Sequence, residues 1–407
     1  MSSSSRRRAL LITLFTTVLT LAATVTAIPA TAATAGIPVP SADPFYRPPA
    51  PLPPVAAGDV LRSRPITAKA LVLPFPVRAW QVLHRSTNNQ GKPNAVVATV
   101  LVPHSPWTNG PRPLVAYNIG THGLSSNCAP SFWFRAGIEY ELALMTMALL
   151  KGWAVVVSDY EGSATTGPHT YTAGRPTGHA VLDGIRAAQR LPEAGLDPKG
   201  PVGIWGYSEG GLATSWAAEL QPGYAPELNV RGAAAGGVPR DIGNVGYKID
   251  GGPFFGFFLA AAIGLDHSHP EMQLESVLNA KGRKAFAEVR DMCHAQWTPP
   301  YAFHRISEFT EVPDPIQLPQ FQKVLERNRL GTGTPAVPAY VYQSVNDEFM
   351  PINDAKQLVR GWCSRGVRVQ LRESLLSEHI SLAVTGAPGA VSWLADRFAN
   401  QPAPSNC

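Results

Sequence analysis

Short apolar runs alternate with stretches of helical spacing along most of the chain. Residues 95–102 form an apolar, β-branched run closed by Pro103 and read as a strand; the pattern turns β-like from Leu71 onward. Further short buried strands are expected at 114–119, 153–157, 202–205, 230–235, 339–343 and 367–371, with helices at 178–191 and 388–398. Strands separated by helices predict an α/β fold with a mostly parallel sheet covered on both faces. Between about 238 and 334 this alternation breaks. An apolar stretch at 254–263 and a helical-looking one at 272–289 occur there without a convincing strand. The expected organisation is a leader (1–35), a proline-rich extended arm (36–60), a first core segment (61–239), an inserted helical cap or lid (240–334) and a second core segment (335–407).

Composition narrows the class. With 407 residues and 45% apolar content, a large buried core is expected. The net charge is +5, but Arg6, Arg7 and Arg8 supply three of those charges. No later basic run marks a nucleic-acid or anionic-membrane partner. The Arg triplet, an apolar run at 9–23 and small residues up to Ala35 form an export signal with several A-x-A-like cleavage sites. A membrane anchor is the alternative, since the run nearly spans a bilayer, but its threonines and clustered alanines favour cleavage. The mature chain is therefore expected to be secreted, with no integral membrane anchor; general and twin-arginine routes both stay open. Four cysteines, an even number, suit an oxidising compartment.

The candidate chemistry centres on Gly206-Tyr207-Ser208-Glu209-Gly210-Gly211. G-x-S-x-G alone is a weak signal. Here a strand leads in and a small-residue helix leads out, the context a nucleophile elbow of the α/β-hydrolase fold needs. A serine hydroxyl requires a histidine base oriented by a carboxylate, and in this fold the order is Ser, acid, His. Five histidines follow Ser208; four fall in the expected cap, leaving His379 as base. Asp347 is the first carboxylate after the 339–343 strand and is assigned as the acid, with Glu348 as alternative; Asp354 reads as the start of the next helix. The oxyanion hole would use the backbone N–H of Glu209 and one from the loop Gly120-Thr121-His122-Gly123. Two readings of the His122 side chain stay open, a satisfied loop histidine or a brace for that loop. His267 and His269 have H-x-H spacing but no acidic or cysteine company, so they are read as surface and no metal is expected. One face of the 251–263 segment, with Phe254, Gly256 and Phe257, is expected to line an acyl tunnel.

The chain also resembles the secretory lipases typified by Candida lipase A, from about Asp43 to Cys407. The resemblance rests on motifs in order: Asp43-Pro44-Phe45-Tyr46, Cys128-Ala129-Pro130-Ser131, Ser158-Asp159-Tyr160-Glu161-Gly162, Leu182-Asp183-Gly184-Ile185-Arg186, the elbow, Tyr224-Ala225-Pro226-Glu227-Leu228-Asn229, Gly251-Gly252-Pro253-Phe254, Asn346-Asp347-Glu348 and Glu378-His379. It implies a triad of Ser208, Asp347 and His379, disulfides Cys128–Cys293 and Cys363–Cys407, and cofactor-free hydrolysis of acylglycerols and simpler esters. Two departures stand out. The family carries aspartate where His122 stands, and glycine where Glu209 follows the serine.

The leading expectation is thus a secreted lipase or carboxylesterase acting on lipid or ester substrates, including at a lipid–water interface. A prolyl-type peptidase would need a propeller, for which the cap is too short and strand-poor. An acyltransferase shares the acyl-enzyme and differs only in its acceptor. A catalytically dead binding protein on this fold would fail to react with a fluorophosphonate probe.

Overall fold

A computed structural model describes residues 36–165 and 167–407, so the export signal lies outside the described residues. The strands are β1 (Val60–Ile66), β2 (Lys69–Ala70), β3 (Leu73–Pro74), β4 (Val77–Thr87), β5 (Pro93–Pro103), β6 (Leu114–Asn118), β7 (Ala154–Ser158), β8 (Val202–Tyr207), β9 (Val230–Gly236), β10 (Ala339–Ser344) and β11 (Val369–Ser374). Nine of them form one sheet in the order β1-β4-β5-β7-β6-β8-β9-β10-β11; β2 and β3 form a small separate hairpin. The β1–β4, β4–β5 and β5–β7 pairs are antiparallel, and every pairing from β7 through β6, β8, β9 and β10 to β11 is parallel. Strands β6, β7, β8 and β10 are buried at every position. That burial explains their continuous apolar runs, as parallel strands are covered on both faces.

The helices are α1 (Pro130–Ala136), α2 (Leu142–Leu150), α3 (Gly174–Arg190), α4 (Glu209–Tyr224), α5 (Ile242–Ile249), α6 (Phe255–Ser268), α7 (Ala280–Val289), α8 (His294–Tyr301), α9 (Pro319–Arg327), α10 (Ile352–Cys363) and α11 (His379–Phe398). Helices α3 and α4 pack on each other and on the sheet, while α11 packs on β8, β9 and β10 and touches α2. Close approach of α11 depends on small residues in the strands: a Cβ at Gly232 would sit 2.7 Å from the Trp393 ring. Residues Val39–Cys407 form one compact unit. Inside it, one apolar cluster fills the sheet and its flanking helices. A second joins the helices between β9 and β10 to α10 and the β10–β11 edge.

Several expected boundaries move. The 36–60 stretch is no bare extended arm. Asp43 caps a 3-10 turn at Pro44–Tyr46 and its carboxylate binds Arg64 at 2.7 Å and Arg135 at 2.9 Å, while Tyr46 is buried and accepts a hydrogen bond from Gln81 at 2.8 Å. The expected helix at 388–398 begins nine residues earlier, at His379, because Glu378 and Ser381 form a reciprocal capping box; Pro388 lies inside it. The 272–289 stretch begins at the end of one 3-10 turn (Pro270–Met272), and a second (Leu274–Val277) precedes α7. Between β9 and β10 the described elements are helices and turns, plus an isolated bridge between Leu278 and Thr310.

Candidate active site

The parallel strands deliver four segments to one edge of the sheet. Strand β8 leads into Ser208, β10 runs into Asp347 and Glu348, β11 leads to His379, and β6 feeds the 120–123 loop. This is the carboxyl edge, where ligands of open α/β sheets bind. Ser208 sits at φ 60°, ψ −120°, a strained conformation for a residue with a Cβ. The turn is possible because the residues two positions away on either side lack side chains: a Cβ at Gly206 would lie 2.3 Å from Gly210 O, and one at Gly210 only 1.9 Å from Asn118 O.

His379 bridges the other two groups. Its Nε2 lies 2.9 Å from Ser208 Oγ and its Nδ1 2.8 Å from Asp347 Oδ2. Asp347 is buried, and its Oδ1 accepts the backbone N–H groups of Phe349 at 2.9 Å and Met350 at 2.7 Å. Its Oδ2 also accepts from Gln343 Nε2 at 2.8 Å. The alternative acid, Glu348, does not reach the ring in the same way: its Oε2 accepts the backbone N–H of His379 at 2.9 Å. The Tyr207 hydroxyl donates to the His379 carbonyl at 2.6 Å, and the Phe349 ring lies 4.7 Å from the imidazole. None of these supports was visible in the spacing of the sequence, since each depends on the loop turning back on the sheet. Asp354 starts no helix as a cap. Pro351 holds that position, and Asp354 lies in the first turn of α10, accepting from Asn244 at 2.9 Å.

The 120–123 loop is held by a buried charged cluster. His122 is 4% exposed, with Nδ1 2.9 Å from Gly120 O and Nε2 3.0 Å from a Glu139 carboxylate oxygen. Burial opposes its charge, but the Glu139 carboxylate outweighs it and raises the His122 pKa to about 9. Both ring nitrogens are thus engaged within the cluster, which ties the loop to the Glu139 side chain. Glu141 accepts from Gly120 N at 2.9 Å and Tyr117 OH at 2.6 Å. Burial lifts its pKa to about 7. The loop is also joined to the segment before α8: Cys128 and Cys293 form a disulfide, Gly123 and Cys293 form a β-bridge, and His294 N donates to His122 O at 2.9 Å. Cys363 and Cys407 form the second disulfide, tying the C-terminus to the end of α10.

Phe254 and Phe257 stand beside this site: Phe254 stacks on Phe349 with ring centroids 4.1 Å apart, and Phe257 meets the same ring edge-on at 5.2 Å. Gly256 does not line a channel. It is buried against α8, where an added Cβ would meet Trp297 Cδ1 at 2.7 Å and Trp297 O at 2.8 Å, so its smallness serves helix packing. The surface reading of the H-x-H pair also fails. His269 is buried, with Nε2 3.0 Å from Asn89 Nδ2, and His267 Nδ1 lies 3.0 Å from His169 O. Among the described residues no cluster of His, Cys, Asp and Glu is arranged to hold a metal ion.

The secretory lipase family model matches residues 133–406. This chain is a member of that family. It is 37% identical to Lipase A of Arthroderma benhamiae, over 88% of this chain and 80% of that one. It is 35% identical to a Mycobacterium tuberculosis protein named a probable inactive lipase, over 89% and 83% of the two chains. The solved structure of Candida antarctica lipase A in its closed state superposes with a TM-score of 0.82 at 28% identity, covering 91% of this chain and 90% of that one. A rice cell wall degrading esterase from Xanthomonas oryzae, 18% identical with a TM-score of 0.71, shares the fold. The fold is therefore that of the α/β hydrolases, and the secretory lipase is a hydrolase of lipid or ester substrates. Family membership and two disulfides make it an extracellular protein. No helix among the described residues is long and apolar enough to cross a membrane.

Proposed function

We propose that this secretory lipase hydrolyses acylglycerols and other carboxylic esters through a Ser208–His379–Asp347 triad and an acyl-enzyme. The observation that carries the reading is the chain of two contacts, 2.9 Å from Ser208 Oγ to His379 Nε2 and 2.8 Å from His379 Nδ1 to Asp347. His379 takes the hydroxyl proton as Ser208 Oγ attacks the ester carbonyl. The oxyanion is met by the backbone N–H of Glu209, at the first position of α4 where helix N–H groups have no partner within the helix, and by an N–H of the 120–123 loop. The imidazolium then returns its proton to the leaving alcohol, and a water molecule activated by the same nitrogen releases the acid. Asp347 keeps Nδ1 protonated, so that Nε2 is the base.

The helical stretch at 240–334 acts as the cap of this site, with Phe254 and Phe257 forming an apolar wall for the acyl chain. Exposed Leu375, Leu376 and Ile380, at 70%, 99% and 62%, flank His379 and suit approach to a lipid–water interface. The relative named a probable inactive lipase favours a second reading, a non-catalytic binding protein on the same fold. Labelling by a fluorophosphonate, with loss of the label in Ser208→Ala, supports the catalytic reading. A folded wild-type protein that neither labels nor turns over p-nitrophenyl esters establishes the second.

A further inference from the structure

Glu209 follows the nucleophile directly and is 5% exposed, with its buried Oε1 lacking any hydrogen-bond partner among the described residues. The groups facing it come from three elements. The 120–123 loop contributes the Thr121 hydroxyl and the His122 imidazolium, the 139–141 turn contributes Tyr140 and Glu141, and the 160–171 loop contributes Tyr160 and Tyr171. Among these described groups only His122 is cationic, and both Glu139 oxygens lie within 3.2 Å of its Nε2. Three carboxyl groups therefore surround one positive charge that is already paired. An ionised Glu209 would be an uncompensated buried anion beside Glu141, an arrangement that burial strongly disfavours.

As a neutral acid the same side chain fits its surroundings. Thr121 Oγ1 lies 2.9 Å from the Tyr171 hydroxyl, and by accepting from it keeps its own O–H to donate to the Glu209 carboxyl. We propose that Glu209 is a positioning residue for the esterolytic reaction. Held as a neutral carboxylic acid, it ties the Thr121 loop to the nucleophile elbow, and its ionisation disables the oxyanion site by putting a negative charge where another must form. Burial first, with Glu141 adding to it, raises the Glu209 pKa to about 8, against the weaker pull of Thr121 and His122. This inference rests on the catalytic reading of Ser208.

The test is the pH dependence of kcat/KM on p-nitrophenyl butyrate. The wild type is expected to lose activity about tenfold per pH unit above an apparent pKa near 8. In Glu209→Gln that limb disappears, and the next fall comes with loss of the His122 proton near 9. Thr121→Val, which removes a group that favours the ionised form, moves the limb upward, while Thr121→Ser leaves it in place. A limb unchanged in both Glu209→Gln and Thr121→Val overturns the proposal. Infrared difference spectra between wild type and Glu209→Gln read the acid directly, through a protonated-carboxyl band that vanishes as pH rises through 8. Absence of that band at neutral pH also overturns it, even in a protein without turnover. Failure to react with a fluorophosphonate at any pH counts instead against the catalytic reading.

Discussion

Asp347→Asn is a sharp test of the triad, because every hydrogen bond around that carboxylate has a fixed direction. The asparagine oxygen must accept the N–H groups of Phe349 and Met350, which the aspartate now holds at 2.9 and 2.7 Å. Its NH2 then points at Gln343 Nε2 and His379 Nδ1, both 2.8 Å from the present Oδ2. Gln343 cannot reverse its amide without loss, since its Oε1 accepts Val238 N–H at 3.0 Å. The imidazole can adapt, by moving its proton to Nε2 so that Nδ1 accepts. That tautomer presents N–H to Ser208 Oγ and can no longer take the serine proton. The expected loss is about 10⁴ in kcat, roughly 5–6 kcal/mol of barrier. Glu348→Gln keeps a carbonyl acceptor for the His379 N–H, now 2.9 Å from the carboxylate, and should stay within about tenfold of wild type. Steady-state rates on p-nitrophenyl butyrate, with Tm measured alongside to verify folding, decide the matter. An Asp347→Asn enzyme within tenfold of wild type, or a Glu348→Gln enzyme a thousandfold down, refutes the assignment.

Other consequences follow from neighbouring features. Replacing Cys128 and Cys293 by serine opens a link across 165 residues, worth about 5 kcal/mol in the chain-entropy model; a Tm unchanged from wild type would show that the bond does not hold the fold. Phe257→Ala removes an apolar wall 5.2 Å from Phe349 and should depress palmitate turnover more than acetate turnover, whereas Gly256→Leu, which drives a side chain into Trp297, should lower stability and affect all chain lengths alike. A chain-length profile unchanged by Phe257→Ala would remove that residue from the acyl site. Glu209→Gln should also change stability with pH. The folded pKa near 8 lies above the ordinary 4.5, so the unfolded chain ionises first and wild-type stability falls from pH 4.5 to 8. The span is on the order of 5 kcal/mol and is absent in the glutamine variant, and parallel Tm-against-pH curves for the two proteins would contradict it.

Much of this was legible in the chain because the chemistry is carried by strand ends. Residues 202–205 were a recognisable buried strand, and the glycines after it left one geometry for Ser208, which the structure places at φ 60°. The order of residues left His379 and a short choice of acids. Loops determined the rest. Nothing in Asn346-Asp347-Glu348 reveals that one carboxylate meets the His379 ring and the next its backbone, since that follows from the turn after β10. Gly256 misled because a small residue on an apolar helix reads equally as space for a ligand or room for another helix. The buried Glu139 and Glu141 were overlooked although carboxylates two residues apart beside an apolar helix are unusual enough to have flagged a cluster.

The Cys128–Cys293 link constrains how the helical stretch between β9 and β10 can move. The backbone of residues 292–294 does more than follow the disulfide. Met292 O accepts Leu124 N at 3.0 Å, and His294 N donates to His122 O at 2.9 Å. A Cβ at Gly123 would lie 2.5 Å from Cys293 Cα, so the two backbone segments touch with no side chain between them. Lifting this part of the cap would therefore pull directly on the loop proposed to supply the oxyanion donor. A preorganised donor is effective only if it stays fixed while charge develops. On the proposed cap reading, residues 292–294 belong to the frame of the site, and access for a substrate is left to other parts of the stretch. The sequence departures fit the same picture. His122 is locked through Glu139 and through its own carbonyl, and Glu209, on the elbow side, interacts with Thr121 and His122 of the same loop.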